Sequence, residues 1–241
     1  MQFILAAIMV FASLSAVAEE RFKNESELGV SVVSGNANTE SYSLKQLSSY
    51  DLDGLNKLHA QGRYNQGRTS GVETARAWGA ALKYERALSD LWSAFLSQTA
   101  ESDVYANYVQ RNSTDLGAKY YFTKNDKLEH FAEAGYRYQY TQYVVQAADV
   151  EPADNAVRLY TEASYKLSPS ASAKLWVEYI PSMKDREVYL LNAEPSVSAI
   201  LSETFSLKTS YLVKYQNPSK STRTLASYTD TTFLTSIVAK F

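Results

Sequence analysis

The side chains able to do chemistry in this 241-residue chain are mostly charged groups repeating at even spacing. Glu133 and Arg137 share one parity, as do Arg158, Glu162 and Lys166, and again Lys174 and Glu178. With Asp115, Lys119, Glu194, Lys208, Lys214, Asp230 and Lys240 they make eight cations against six carboxylates. In a strand a period of two puts such residues on one face. A face of mixed charge does one of two things. It lines an aqueous path, here with a slight preference for anions, or its charges pair across strands and fill the space they face. Charges in low-dielectric surroundings must pair, so the sequence leaves both readings open.

Other chemistries find less support. A Ser-His-acid set needs a histidine within reach of a serine and a carboxylate, and the chain has only His59 and His130. His130 opens a strand on its apolar face, and His59 lies near a turn facing inward. Neither has a serine or an acid two residues away on its own strand, and no G-x-S-x-G occurs. No enzyme is expected. Asp51 and Asp53 bracket a turn, but one such pair falls far short of the 6 to 8 oxygens of a good calcium site. Zero cysteines exclude disulfides and thiolate metal sites, so no metal or cofactor is expected. The net charge of −2 gives no reason to expect a nucleic-acid partner.

The elements that must position the charged rows are strands. Leu128 to Thr141 puts Ala132, Ala134, Tyr136, Tyr138 and Tyr140 on one face and Glu133, Arg137 and Gln139 on the other. Asn155 to Leu167 and Ala171 to Ile180 repeat the alternation, with Leu159, Leu175 and Val177 opposing Arg158, Lys174 and Glu178. Strands are likewise expected over 27–33, 40–50, 57–65, 74–86, 91–100, 109–122, 187–199, 205–216 and 228–241. The total is twelve, with ten or fourteen as alternatives. Stretches of roughly 10 to 14 residues are long enough to cross a bilayer when tilted. The connections are expected to alternate between tight turns such as 123–127 and longer polar loops such as 66–71, 101–108 and 142–154.

The amino end, Phe3 to Val17, is an apolar run without charge, followed by Ala16-Val17-Ala18. It reads as a signal peptide over 1–18, leaving a single domain over 19–241. No later stretch approaches the 20 apolar residues of a spanning helix. The 19 Tyr, 9 Phe and 3 Trp suit the aromatic girdles of a membrane barrel better than a soluble lipocalin-like barrel. The fold class is therefore all-β: an antiparallel transmembrane barrel of about twelve strands with both termini on one side. Its last strand ends on an aromatic, with Phe233, Ile237 and Phe241 on the face opposite Asp230, Ser236 and Lys240. Those three apolar residues are the expected terminal signal for a barrel-assembly machinery. Membrane lipid and lipopolysaccharide are the other expected partners, with Arg68 and Arg111 placed to meet lipopolysaccharide phosphates at the outer rim.

Gly29, the segment Ser34-Gly35-Asn36-Ala37-Asn38-Thr39 and the closing segment Tyr228 to Phe241 resemble the bacterial salt-induced outer-membrane proteins, a family built on a domain of unknown function. The resemblance implies a barrel in the outer membrane of a Gram-negative bacterium, with periplasmic termini. It brings no established activity and no catalytic residues. The reading for function is a narrow passive channel for small polar or charged solutes, with a non-conducting structural or stress-related barrel as the alternative.

Overall fold

The computed structural model describes residues 21–33, 39–146, 151–217 and 228–240. Twelve strands follow one another: β1 (Phe22–Val33), β2 (Thr39–Asp51), β3 (Asn56–Thr69), β4 (Val72–Ala87), β5 (Trp92–Asp103) and β6 (Tyr108–Lys124) make the first half. The second half is β7 (Leu128–Tyr143), β8 (Ala153–Ser168), β9 (Ala171–Pro181), β10 (Tyr189–Ile200), β11 (Phe205–Asn217) and β12 (Thr229–Lys240). Each pairs antiparallel with its sequence neighbours, and β1 pairs with β12, so the sheet closes on itself. Closure leaves no sheet edge, the condition for a strand structure in hydrocarbon. The expected signal peptide over 1–18, the first connection over 34–38 and Phe241 lie outside the described residues.

Among the described residues the closing pair has the shortest register, running from Glu25↔Lys240 to Gly29↔Ser236, whereas β1 pairs with β2 from Phe22↔Tyr50 to Val33↔Thr39. Gly29 is what admits the last strand. A Cβ there would stand 2.5 Å from Cδ1 of the inward-pointing Leu234.

The outer face is apolar and the inner face charged, the inverse of a water-soluble barrel. Leu116 is 62 % and Phe233 69 % exposed on the outside, while Asp115 and Glu133 inside are 2 % and 5 % exposed. Only lipid suits such an exterior. Aromatic rings band both margins, as girdles do. Trp92, Tyr120 and Phe122 meet in tilted and edge-on contacts at centroid separations of 4.8 and 5.2 Å near the end that carries the termini, and Tyr179, Tyr189 and Tyr215 at 5.4 and 5.8 Å near the other.

The connections depart from expectation on one side. Residues 66–71 are not a polar loop: β3 and β4 run on to a two-residue turn, Ser70-Gly71, with φ of 51° and 80°. Positive φ at both central residues is the geometry whose twist matches the flanking strands. Likewise 101–108 contracts to a turn over 104–107, with Asn107 at φ 67°. Longer connections at this end join β7 to β8 and β9 to β10. At the other end short turns join the strands. Asp51 Oδ1 accepts from Gly54 N–H at 2.5 Å, and Asp53 Oδ1 accepts from Asn56 N–H at 2.7 Å. Both aspartates thus serve as turn formers.

Candidate functional site: the charged lumen

Alternation delivers the charged rows to one enclosed space, where they form three groups and a separate pair. The largest joins five strands. Glu133 on β7 accepts from Arg158 Nη1 on β8 at 2.8 Å and from Lys83 Nζ on β4. Arg158 Nε donates to Glu178 Oε1 on β9 at 2.7 Å. Arg137 Nη2 stands 3.8 Å from the same carboxylate and forks onto Asp115 of β6, with Nε–Oδ1 at 2.6 Å and Nη2–Oδ2 at 2.8 Å. The rigid guanidinium fork matches a carboxylate in two bonds, which a lysine cannot do. Lysines sit where rings help hold them: Lys83 lies 4.3 Å from the Phe95 centroid, and Lys119 lies 4.0 Å from that of Phe131 and 3.4 Å from Glu85 Oε2.

The second group spans the closing seam. Glu27 of β1 accepts from Lys208 Nζ on β11 at 2.9 Å and from Ser236 Oγ on β12 at 2.7 Å, and Lys208 also reaches Glu194 on β10 at 3.3 Å. The third lies toward the loop end. There Glu101 of β5 meets Arg63 of β3 and, at 3.6 Å, Arg111 Nη1 of β6. Arg63 reaches β5 by lying across β4 at Gly79, where a Cβ would sit 2.7 Å from its Nε. Nearer the terminal end, Lys174 Nζ pairs with Glu162 at 2.8 Å, and its side chain keeps 44 % exposure.

Of the residues expected from sequence to face the lumen, Lys119, Glu133, Arg137, Arg158, Glu162, Lys174, Glu178, Glu194 and Lys208 therefore lie in ion pairs. Lys166 is exposed at the end of β8. Lys214 stands opposite Asp230 and Asn192 in register, yet among the described residues it forms no ion pair. Phe233 and Ile237 lie on the outer face, 69 % and 43 % exposed. Arg111 is not at the outer rim. It points inward, its guanidinium carbon 3.8 Å from the Tyr108 ring centroid.

The lumen charges of the first five strands, Glu27, Lys45, Arg63, Lys83, Glu85 and Glu101, were missed. Their parity follows once Leu28, Leu44, Leu82 and Leu96 are set outward.

The histidines do not form a catalytic set. His130 stacks on Phe122 at 4.8 Å on the outside. His59 lies 3.9 Å from Glu85, with Ser49 opposite in register, but among the described residues no hydrogen bond reaches its Nε2. No cluster of three potential metal ligands occurs among the described residues.

The ion pairs follow the wall. With twelve strands, neighbours subtend about 30° of arc, so a pair spanning three strands is a chord passing at roughly 0.7 of the radius from the axis. Lys83–Glu133 spans three strands, and Arg63–Glu101, Lys119–Glu85, Arg137–Glu178 and Lys208–Glu27 span two. None of these pairs crosses the axis.

A family model described as "Protein of unknown function, DUF481" matches residues 26–241, and that description carries no mention of salt induction. No curated protein matches the chain. Among solved structures, the COG4313 outer membrane channel from Pseudomonas putida F1 is similar at 12% identity and TM-score 0.53, covering 91% of this chain and 94% of that one. The NanC porin is similar at 9% identity and TM-score 0.50, covering 91% and 97%. Both likenesses are of fold.

Proposed function

The chain belongs to the DUF481 family of proteins of unknown function, and on that premise we propose that it is a narrow passive channel for small polar or charged solutes. It sits in the outer membrane of a Gram-negative bacterium. A cleaved signal over 1–18 exports the chain, and the assembly machinery reads Phe233, Ile237 and Phe241 in the closing strand. The short-turn end with the termini is periplasmic, and lipopolysaccharide surrounds the loop end.

The observation that carries this reading is the placement of the lumen ion pairs along the wall. Twelve strands spaced about 4.8 Å apart and tilted about 40° give a backbone radius of roughly 12 Å. Chords of this kind do not cross the axis. Lys174 and Lys166 keep exposure within one mouth, and Asp230 and Thr232 within the other, so both mouths carry polar groups. The resemblance to a channel and a porin agrees with this.

The competing reading, a sealed structural barrel, draws on the burial of Asp115 and Glu133. Single-channel recording of refolded residues 19–241 in a planar bilayer under a salt gradient separates the two. Discrete steps with a defined reversal potential support the channel. A folded, heat-modifiable but silent barrel refutes it in favour of the sealed one.

A further inference from the structure

Three cations lie in the loop-end half of the lumen on different strands: Arg63 of β3, Arg111 of β6 and Lys214 of β11. We propose that they form a binding site for the carboxylate or phosphate group of a small anionic solute, an inference that rests on the channel reading of the same lumen.

Arg111 is the strongest indication. Its side chain is only 11 % exposed, yet among the described residues its Nε–H finds no acceptor and its one carboxylate contact is loose, Nη1 to Glu101 at 3.6 Å. The Tyr108 ring, 3.8 Å from its guanidinium carbon, holds the plane of the fork. Buried donors of this kind are almost always satisfied. Glu101 cannot serve Arg111 fully because it also holds Arg63, whose path to it is cleared by Gly79. One carboxylate is thus divided between two guanidinium groups.

Lys214 has no ion pair among the described residues and lies within electrostatic reach of Arg63, Glu101, Asp103 and Asp230. In the strand order β11 and β5 are six apart in a ring of twelve, on opposite walls. The free lysine therefore faces the shared carboxylate straight across the bore. The other two acids balance the charge of the cations, but neither forms an ion pair with Lys214 or Arg111 among the described residues. Asp103 Oδ1 is occupied by Ala106 N–H at 3.1 Å, and Asp230 is exposed at the start of β12. An oxyanion between them would accept from the Arg111 Nε–H and fork and meet the Lys214 ammonium, completing a charge-assisted set. Its place is in the half of the lumen toward the loop end.

Isothermal titration of the refolded protein in detergent tests this without requiring conduction. The probes are citrate, inorganic phosphate and, as a neutral control, glucose. Citrate or phosphate is expected to bind and glucose not. Arg111→Gln and Lys214→Gln, each checked for heat-modifiable folding, should weaken binding on the order of tenfold by removing one charge-assisted bond apiece. Failure of both anions to bind, or equal binding by wild type and both variants, overturns the site. If the barrel conducts but binds neither anion, the site fails and the channel stands. If it binds but is silent in a bilayer, the site stands and the channel reading fails.

Discussion

Glu133→Gln isolates what the lumen network contributes. Glu133 is 5 % exposed and accepts from both Arg158 Nη1 and Lys83 Nζ. The amide keeps the shape and removes the charge, leaving two cations facing a neutral group. Breaking a buried pair by removing one partner costs about 3–5 kcal/mol. Here the lower end applies. Arg158 retains Glu178 at 2.7 Å, and Lys83, 22 % exposed, retains Glu85 at 3.9 Å. The expected loss is therefore about 3 kcal/mol. Urea unfolding of the barrel refolded into vesicles, followed by tryptophan fluorescence, measures it. Combining Glu133→Gln with Arg158→Met should cost less than the sum of the single changes by at least about 1 kcal/mol, because both sever the same contact. Single-channel conductance should stay near the wild-type value, since the substitution is isosteric and the pair runs along the wall. A loss below about 0.5 kcal/mol, the range of ordinary surface changes, would refute the view that this network holds the wall together. Collapse of conductance in a folded variant would refute its placement off the axis.

Three further outcomes are expected. Gly117→Ala would set a Cβ 2.5 Å from the Ala134 carbonyl oxygen and 2.7 Å from Phe95 Cζ, so urea unfolding should show about 1–3 kcal/mol of destabilisation, whereas Gly62→Ala, with nothing within 4 Å, should be neutral. Lys174→Ala removes a lumen cation with 44 % side-chain exposure, so the reversal potential in a salt gradient should move toward cations without a large loss of stability. At the Asp53 turn, the Asn56 side chain and then the backbone N–H groups of Asn56 and Leu55 hold the carboxyl below its ordinary value. The turn is therefore tightened at pH above the ordinary aspartate range and loosens as pH falls through the lowered midpoint. An NMR titration of the Asp53 carboxyl placing its midpoint at or above the ordinary value would contradict this.

The later strands were legible in the sequence because their two faces differ in kind. Along β7, Tyr136, Tyr138 and Tyr140 oppose Glu133 and Arg137, and a shift of one residue would send charges into lipid, so register and facing are fixed together. In β1 and β2 the signal fades. Asn24, Ser26, Gln46 and Ser48 share the parity of Leu28 and Leu44 and bond one another, Ser26 Oγ to Gln46 Oε1 at 2.6 Å and Ser48 Oγ to Asn24 Oδ1 at 2.7 Å. Polar residues on the outward face blur the alternation, which is why Glu27, Lys45 and Arg63 were not assigned to the lumen. Strand ends were misjudged for a different reason. Gln66-Gly67-Arg68-Thr69 has loop composition, but the Ser70-Gly71 turn lets pairing continue to the tip, and composition does not report pairing. The ion pairs themselves were beyond reach: parity says that Lys83 and Glu133 face inward, not that a chord over three strands joins them.

That limit bears on how closure and polarity depend on each other. Among the described residues, backbone pairing between β1 and β12 covers five positions, the least of any neighbouring pair. Glu27 sits at the middle of that short register, opposite Val238, and binds Ser236 of β12 and Lys208 of β11. A carboxylate within the lumen thus ties three strands where the ladder is weakest, and Leu234 packed over Gly29 adds an apolar clasp beside it. Buried ion pairs are weak contributors to stability when a well-packed apolar core is the alternative. A closed barrel with a polar lumen has no such alternative across its axis, so side-chain charge takes part of the work that a hydrophobic core does elsewhere. The same requirement keeps the lumen charged along its length, and a charged lumen within an apolar shell is what a solute path needs.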